Sequence, residues 1–236
     1  MSSYFVRMFG QQASRFRYLV LMCSLLMLVT AYPLLFERSH ARQLFTVLFC
    51  IALTASVLAV GRSRKVILIA VLLAVPAELA MVATVVGKYI NFQLLPTPGL
   101  VLGAALLIYT AAAILVDIFK SQRVSSDTIC GAICVYLLLG VTWALLFKVV
   151  ALHPTPDFPV AFNGLDAKNE FFDFVYFSFV TLTTLGYGDV MPVSPTARML
   201  SWLEALFGQL FIAVLIARFV GLHGRLMRPG SSPSEK

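Results

Sequence analysis

Six long, predominantly apolar runs, at 18–36, 43–60, 66–86, 99–119, 129–151 and 197–220, constrain this chain more than any other feature. A bilayer core of about 30 Å needs roughly 20 apolar residues per spanning helix, and each run reaches about that length. Hydrophobic residues make up 60% of the chain and charged residues 12%, a balance from which no water-facing globular surface can be built. The chain therefore reads as an integral membrane protein. A seventh run, 171–184, is apolar but only about 14 residues long, the length of a re-entrant segment rather than a span. The first run lacks the small-residue cleavage pattern of a secretory signal and is followed by further spans, so it is expected to remain as a helix.

Basic residues set the expected orientation. Counting sides alternately from the N-terminus, Arg7, Arg15, Arg17, Arg62, Arg64, Lys65, Lys120, Arg123, Arg218, Arg225, Arg228 and Lys236 fall on one side. Arg38, Arg42, Lys88, Lys148, Lys168 and Arg198 fall on the other. The positive-inside rule then places both termini in the cytoplasm, with Arg62-Ser63-Arg64-Lys65 as the clearest short-loop signal. The opposite face carries Glu37, Asp157, Asp166, Glu170, Asp173 and Asp189, mostly around the short run, where they would concentrate cations; scattered carboxylates are also ordinary solvated surface. The net charge of +7 is accounted for by topology and by anionic lipid as partner, without nucleic acid.

The polar stretch 121–127 divides the chain and ends in good helix N-cap residues. Upstream lie four helices. Downstream lie a helix, an outer loop broken by Pro154, Pro156, Pro159 and Asn163-Gly164, the short run, and a last helix. The short run ends in Thr183-Thr184-Leu185-Gly186-Tyr187-Gly188-Asp189, which occurs once.

Placed between two full spans, this motif resembles the pore of the tetrameric potassium channels, over about 129–222. Pro192 follows Asp189 at that family's usual offset, and Gly208 falls where the family commonly has its inner-helix hinge glycine. The resemblance implies an all-α membrane protein of six transmembrane helices. A re-entrant pore helix and selectivity filter would lie between helices five and six, and the pore would be tetrameric, built with three identical subunits. The implied parts are a cytoplasmic N-terminus (1–17), a four-helix domain (18–120), a pore domain (129–222) and a short tail (223–236).

By resemblance, the carbonyls of Thr184, Leu185, Gly186 and Tyr187, with the Thr184 hydroxyl, form the K+ sites, and Gly188 completes the filter. Thr183, Tyr176 and Asp189 would support it. Potassium sheds its water only where backbone oxygens surround it, so successive carbonyls must turn to one axis. Ordinary residues resist that alternation of backbone conformation; Gly186 and Gly188 do not. Tyr187 would turn its ring from the axis onto the pore helix, and that helix would aim its C-terminal dipole at the cavity. Leu185 replaces the usual Val or Ile. Tyr176 and Phe177 stand where many relatives carry a pair of tryptophans, and Val180 where some carry a glutamate. Tyr176 can still donate to Asp189, so a differently braced filter is expected; the plainer reading is that these aromatics only fill space.

The first four helices stand where such channels carry a voltage sensor, yet 99–119 holds no basic residue, so sensing by arginines on the fourth helix is not expected. With only 225–236 after the last run, a cytoplasmic nucleotide-binding or ion-sensing domain is not expected. Two intramembrane carboxylates are candidates for control. Glu78, just after Pro76, should be protonated or hydrogen-bonded within the bundle, with Tyr109, Thr54 or Ser56 as neutral partners. Glu204, one turn before the hinge candidate Gly208, either approaches the cavity as a ring of charge or bonds a pore-helix threonine, Thr181 or Thr183. Ile212, Ile216 and Phe219 are candidates for an inner constriction.

Cys23, Cys50, Cys130 and Cys134 read as packing residues, and His40, His153 and His223 as interfacial. No zinc spacing, nucleophile motif or phosphate loop is present, so neither enzyme activity nor a cofactor other than permeant K+ is expected. The expectation is a potassium-selective channel of the plasma membrane, in a prokaryote the inner membrane. The alternatives are a weakly selective cation channel, a non-conducting regulatory subunit and, more distantly, a membrane hydrolase.

Overall fold

The computed structural model describes residues 17–30, 41–60, 64–86, 96–152, 162–164 and 170–226. Expectations resting on the termini, on the loop prolines Pro154, Pro156 and Pro159, or on the side chains of His40, His153 and His223 lie outside the described residues.

The helices are α1 (Arg17–Thr30), α2 (Ala41–Val60), α3 (Arg64–Val86), α4 (Pro96–Lys120), α5 (Ser126–Leu152), α6 (Glu170–Leu182) and α7 (Pro195–Leu226). Two short strands, β1 (Phe162–Asn163) and β2 (Met191–Pro192), pair antiparallel across the filter motif, Phe162 with Pro192 and Asn163 with Met191. Four helical stretches are long and apolar enough to cross a membrane: Arg64–Ala83, Thr97–Lys120, Ser126–Leu152 and Pro195–Leu222. Arg17–Thr30 and Thr46–Val60 are shorter apolar helices, so four of the six expected spans reach full length within the described residues. Phe171–Leu182 is short, as the sequence suggested.

Local signals explain the two helix starts of the pore half. Ser125 caps α5: its Oγ accepts from the Thr128 backbone N–H, while Thr128 Oγ1 accepts from the Ser125 N–H, the reciprocal pattern of a capping box with threonine in the third position. α5 accordingly begins at Ser126, earlier than the apolar run at 129 suggests. Ser194 caps α7 through the Ala197 N–H, with Pro195 at the first helical position, where a missing N–H costs nothing.

The larger of two apolar clusters among the described residues joins the two halves of the chain. Leu21, Leu25 and Leu28 of α1, Phe49 and Leu53 of α2, Ala70 and Ala74 of α3, and Leu106, Leu107 and Ile114 of α4 are buried together with Val135, Leu138 and Val141 of α5. α4 packs directly on α5 of the same chain, α2 and α3 pack on α4, and α1 reaches α5 where Cys134 Sγ donates to the Tyr18 carbonyl at 3.3 Å. At the inner end Arg218 of α7 donates to the Phe119 and Ser121 carbonyls at 2.7 and 3.1 Å, and its guanidinium lies 5.9 Å from the Phe119 ring. A cation is thus set on the carbonyl-bearing end of α4, where the helix dipole favours it.

Candidate functional site: the turn after the short helix

α6 ends in a Schellman motif. Leu185 N–H bonds the Val180 carbonyl and Thr184 N–H the Thr181 carbonyl, each at 2.9 Å, which makes Thr184 the left-handed residue that closes the helix. Its φ is +59°, in a place where glycine is usual and a β-branched residue is an outlier. Two hydrogen bonds and its own hydroxyl hold it there, Thr184 Oγ1 donating to the Thr183 carbonyl at 2.7 Å. Gly186 follows at φ +60° and Gly188 at +81°, whereas Leu185 and Tyr187 do not share the left-handed region. Alternation of hand turns successive peptide planes the same way, so that like backbone groups face one side instead of two. The sequence singled out the two glycines; it gave no sign that Thr184 begins the series.

Two helices, α5 and α7, fasten to this turn. Tyr136 of α5 donates its hydroxyl to the Leu182 carbonyl at 3.2 Å. Gly208 of α7 lies against the same carbonyl, and a Cβ there would stand 2.5 Å from that oxygen and 2.9 Å from Leu182 Cδ1. α7 runs unbroken from Pro195 to Leu226, with Gly208 at a close-packing position. Gln209 reaches Thr184 Oγ1 at 3.4 Å, which puts that face of α7 toward the turn.

On the outer side Tyr176 donates to Asp189 Oδ2 at 2.6 Å, and Asp189 Oδ1 accepts the Val190 N–H at 2.9 Å. The Tyr176 hydroxyl, first among causes, holds the Asp189 carboxyl below its ordinary range. Phe177 packs edge-on against Phe147 and Phe162, with ring centroids 5.2 and 5.1 Å away. Gly164, at φ +89°, lies where a Cβ would collide with the Asp189 carbonyl oxygen. Phe162 and Gly164 thus bring the outer loop onto the far end of the motif, a contact with no signal in the sequence beyond Asn163-Gly164.

Several expectations need correction. Glu204 is fully buried, away from any open face, and its partner is Ser178 Oγ; Thr183 Oγ1 instead bonds the Phe179 carbonyl of its own helix. Tyr187 is 68% exposed in the single chain. Tyr109, Thr54 and Ser56 bond the carbonyls of Val66, Cys50 and Ala52, and Glu78 Oε1 is buried without a partner. Phe219 lies on the α7 face packed into the core, with Phe211 and Leu215. Ile212 and Ile216 are exposed, and helical spacing puts Val220 rather than Phe219 in line with Ile216. Among the described residues no group of three or more His, Cys, Asp or Glu could hold a metal.

A short helix closed by a left-handed turn thus lies between two apolar helices long enough to cross a membrane. Residues 131–222 match the family model described as an ion channel. Rice "Two pore potassium channel a" is 29% identical over 102 residues, 43% of this chain and 26% of the relative. Arabidopsis "Two-pore potassium channel 4" is 32% identical over 84 residues, 36% and 29% respectively. The inward rectifier potassium channel Kirbac3.1 of Paramagnetospirillum magnetotacticum is 41% identical over 60 residues, 25% and 19%. The chain covers less than a third of each of these three proteins. The likenesses support a pore-loop potassium-channel family for the C-terminal part of an integral membrane protein.

Proposed function

We propose that the chain forms a potassium-selective channel, its K+ sites built from the carbonyls of Thr184, Leu185, Gly186 and Tyr187 and from the Thr184 hydroxyl. The observation that carries the reading is the left-handed backbone at Thr184, Gly186 and Gly188 in alternation. Four such strands around one axis would replace the hydration shell of K+. Tyr176, Thr183 and Asp189 would steady each strand from behind and above.

One chain supplies one strand of the filter, so the channel is an assembly, and a homotetramer closes the ring. Support comes from exposure: residues 183–189 are all exposed in the single chain. Backbone polar groups at membrane depth are tolerated only against protein or in a water-filled cavity. Neighbouring subunits would cover Tyr187 and leave the Gln209, Ile216 and Val220 face of α7 along the cavity. The proposed topology has six membrane-crossing helices, a re-entrant α6, cytoplasmic termini and residence in the plasma membrane. Reversal potentials in planar bilayers with mixed K+ and Na+ test the reading. A reversal near the K+ equilibrium potential is expected; one midway between the two would assign a weakly selective cation pore.

A further inference from the structure

Ser178 sits at the meeting point of the three helices of the pore half. Its Oγ lies 2.7 Å from the Gly140 carbonyl oxygen of α5 and within hydrogen-bond distance of Glu204 Oε1 of α7. A serine hydroxyl has one proton, and a backbone carbonyl can only accept. If the Ser178 proton goes to Gly140, the contact with Glu204 needs a proton from the glutamate side. If it goes to an ionised Glu204, two bare acceptor oxygens, those of Ser178 and Gly140, face each other at 2.7 Å. Glu204 is fully buried, and its Oε2 has no partner. A neutral acid leaves only a carbonyl oxygen unpaired there, whereas a carboxylate would leave charge unpaired inside the membrane.

We propose that Glu204 acts as a neutral acid, donating its proton to Ser178 Oγ while Ser178 donates to the Gly140 carbonyl, and that this chain of hydrogen bonds positions α6 and the filter that ends it. Glu204 and Ser178 are positioning residues: neither touches the proposed ion path. Among the described residues no lysine, arginine or histidine is paired with Glu204, and the assignment removes the cavity ring of charge considered from sequence. The functional half of the proposal rests on the potassium-channel reading; the protonation half does not.

The test combines infrared spectroscopy with ion flux on the purified, reconstituted protein. The difference spectrum of wild type against Glu204→Gln should contain the carbonyl stretch of a protonated carboxylic acid. Glu204→Gln, which keeps the shape and a donor, should retain the wild-type K+ over Na+ permeability ratio within about twofold. Glu204→Ala and Ser178→Ala should each lower that ratio by about tenfold, and the double variant should do no more than the worse single, as members of one network behave. Absence of the acid band, or conductance altered in Glu204→Gln as loss of a charge ring would alter it, overturns the proposal. If Glu204→Gln does not assemble, Ser178→Ala decides: it should move the acid band to higher frequency, and an unmoved band overturns the hydrogen bond. Wild type without potassium-selective flux contradicts the channel reading, while the infrared band still reports on Glu204.

Discussion

Thr184 holds a conformation that costs a branched residue roughly 1–2 kcal/mol, and it does so at the residue where α6 passes into the filter motif. Strain of this kind persists only where surrounding bonds over-determine it, and here two backbone bonds and the Thr184 hydroxyl do so. The Tyr176 hydroxyl bond to Asp189 plays the corresponding part at the outer end. Tyr176→Phe should loosen the far end of the turn, read as faster loss of current during sustained opening. Unchanged open probability and inactivation would remove Tyr176 from the bracing. Because Asp189 is held below its ordinary value, the bond's contribution is present above the unfolded carboxyl value of about 3.9 and disappears only as external pH falls below it. Wild type and Tyr176→Phe should therefore differ at neutral pH and converge only in stronger acid. Gly186 and Gly188 were legible in the sequence because glycine alone adopts such angles freely; Thr184 was not, since its conformation comes from a helix terminus formed at its own position.

Among the elements, α6 is fixed by contacts from α5, α7 and the outer loop. Gly208→Ala would push a Cβ into the Leu182 carbonyl, and thermal unfolding of the purified assembly should show a loss of about 1–3 kcal/mol. A variant as stable as wild type but altered in opening would restore the hinge role that the sequence suggested. Gly164→Ala combines strain at φ +89° with a collision against the Asp189 carbonyl. It should detach the outer loop and accelerate inactivation, while an unchanged current would show that this contact does not hold the filter. The longer helices could be read from apolar run length and the start of α5 from the polar stretch 121–127, whereas the Ser194 cap of α7 was not singled out. The partners of Glu204 and Gly208 could not, because contacts such as Ser178 to Glu204 and Leu182 to Gly208 join residues far apart in the chain and carry no spacing signal.

At the scale of the whole molecule, α7 presents one face to its own bundle and leaves another uncovered. The first carries Phe211, Leu215 and Phe219; the second begins at Gln209. Arg218 links the inner end of this helix to the end of α4 and so joins the proposed gate to the four N-terminal helices. Arg218→Ala should lower stability by on the order of 1.5–3 kcal/mol, the scale of charge-assisted hydrogen bonds, in thermal unfolding of the assembly. Equal stability would show that the link is incidental. The central claim, that the turn at Thr184 to Gly188 selects potassium, is tested most directly by flux from liposomes loaded with K+ or Na+, comparing wild type with Gly186→Ala. K+ flux far exceeding Na+ flux and abolished in Gly186→Ala is the predicted result; equal flux of both ions, or selective flux that survives the substitution, would contradict it.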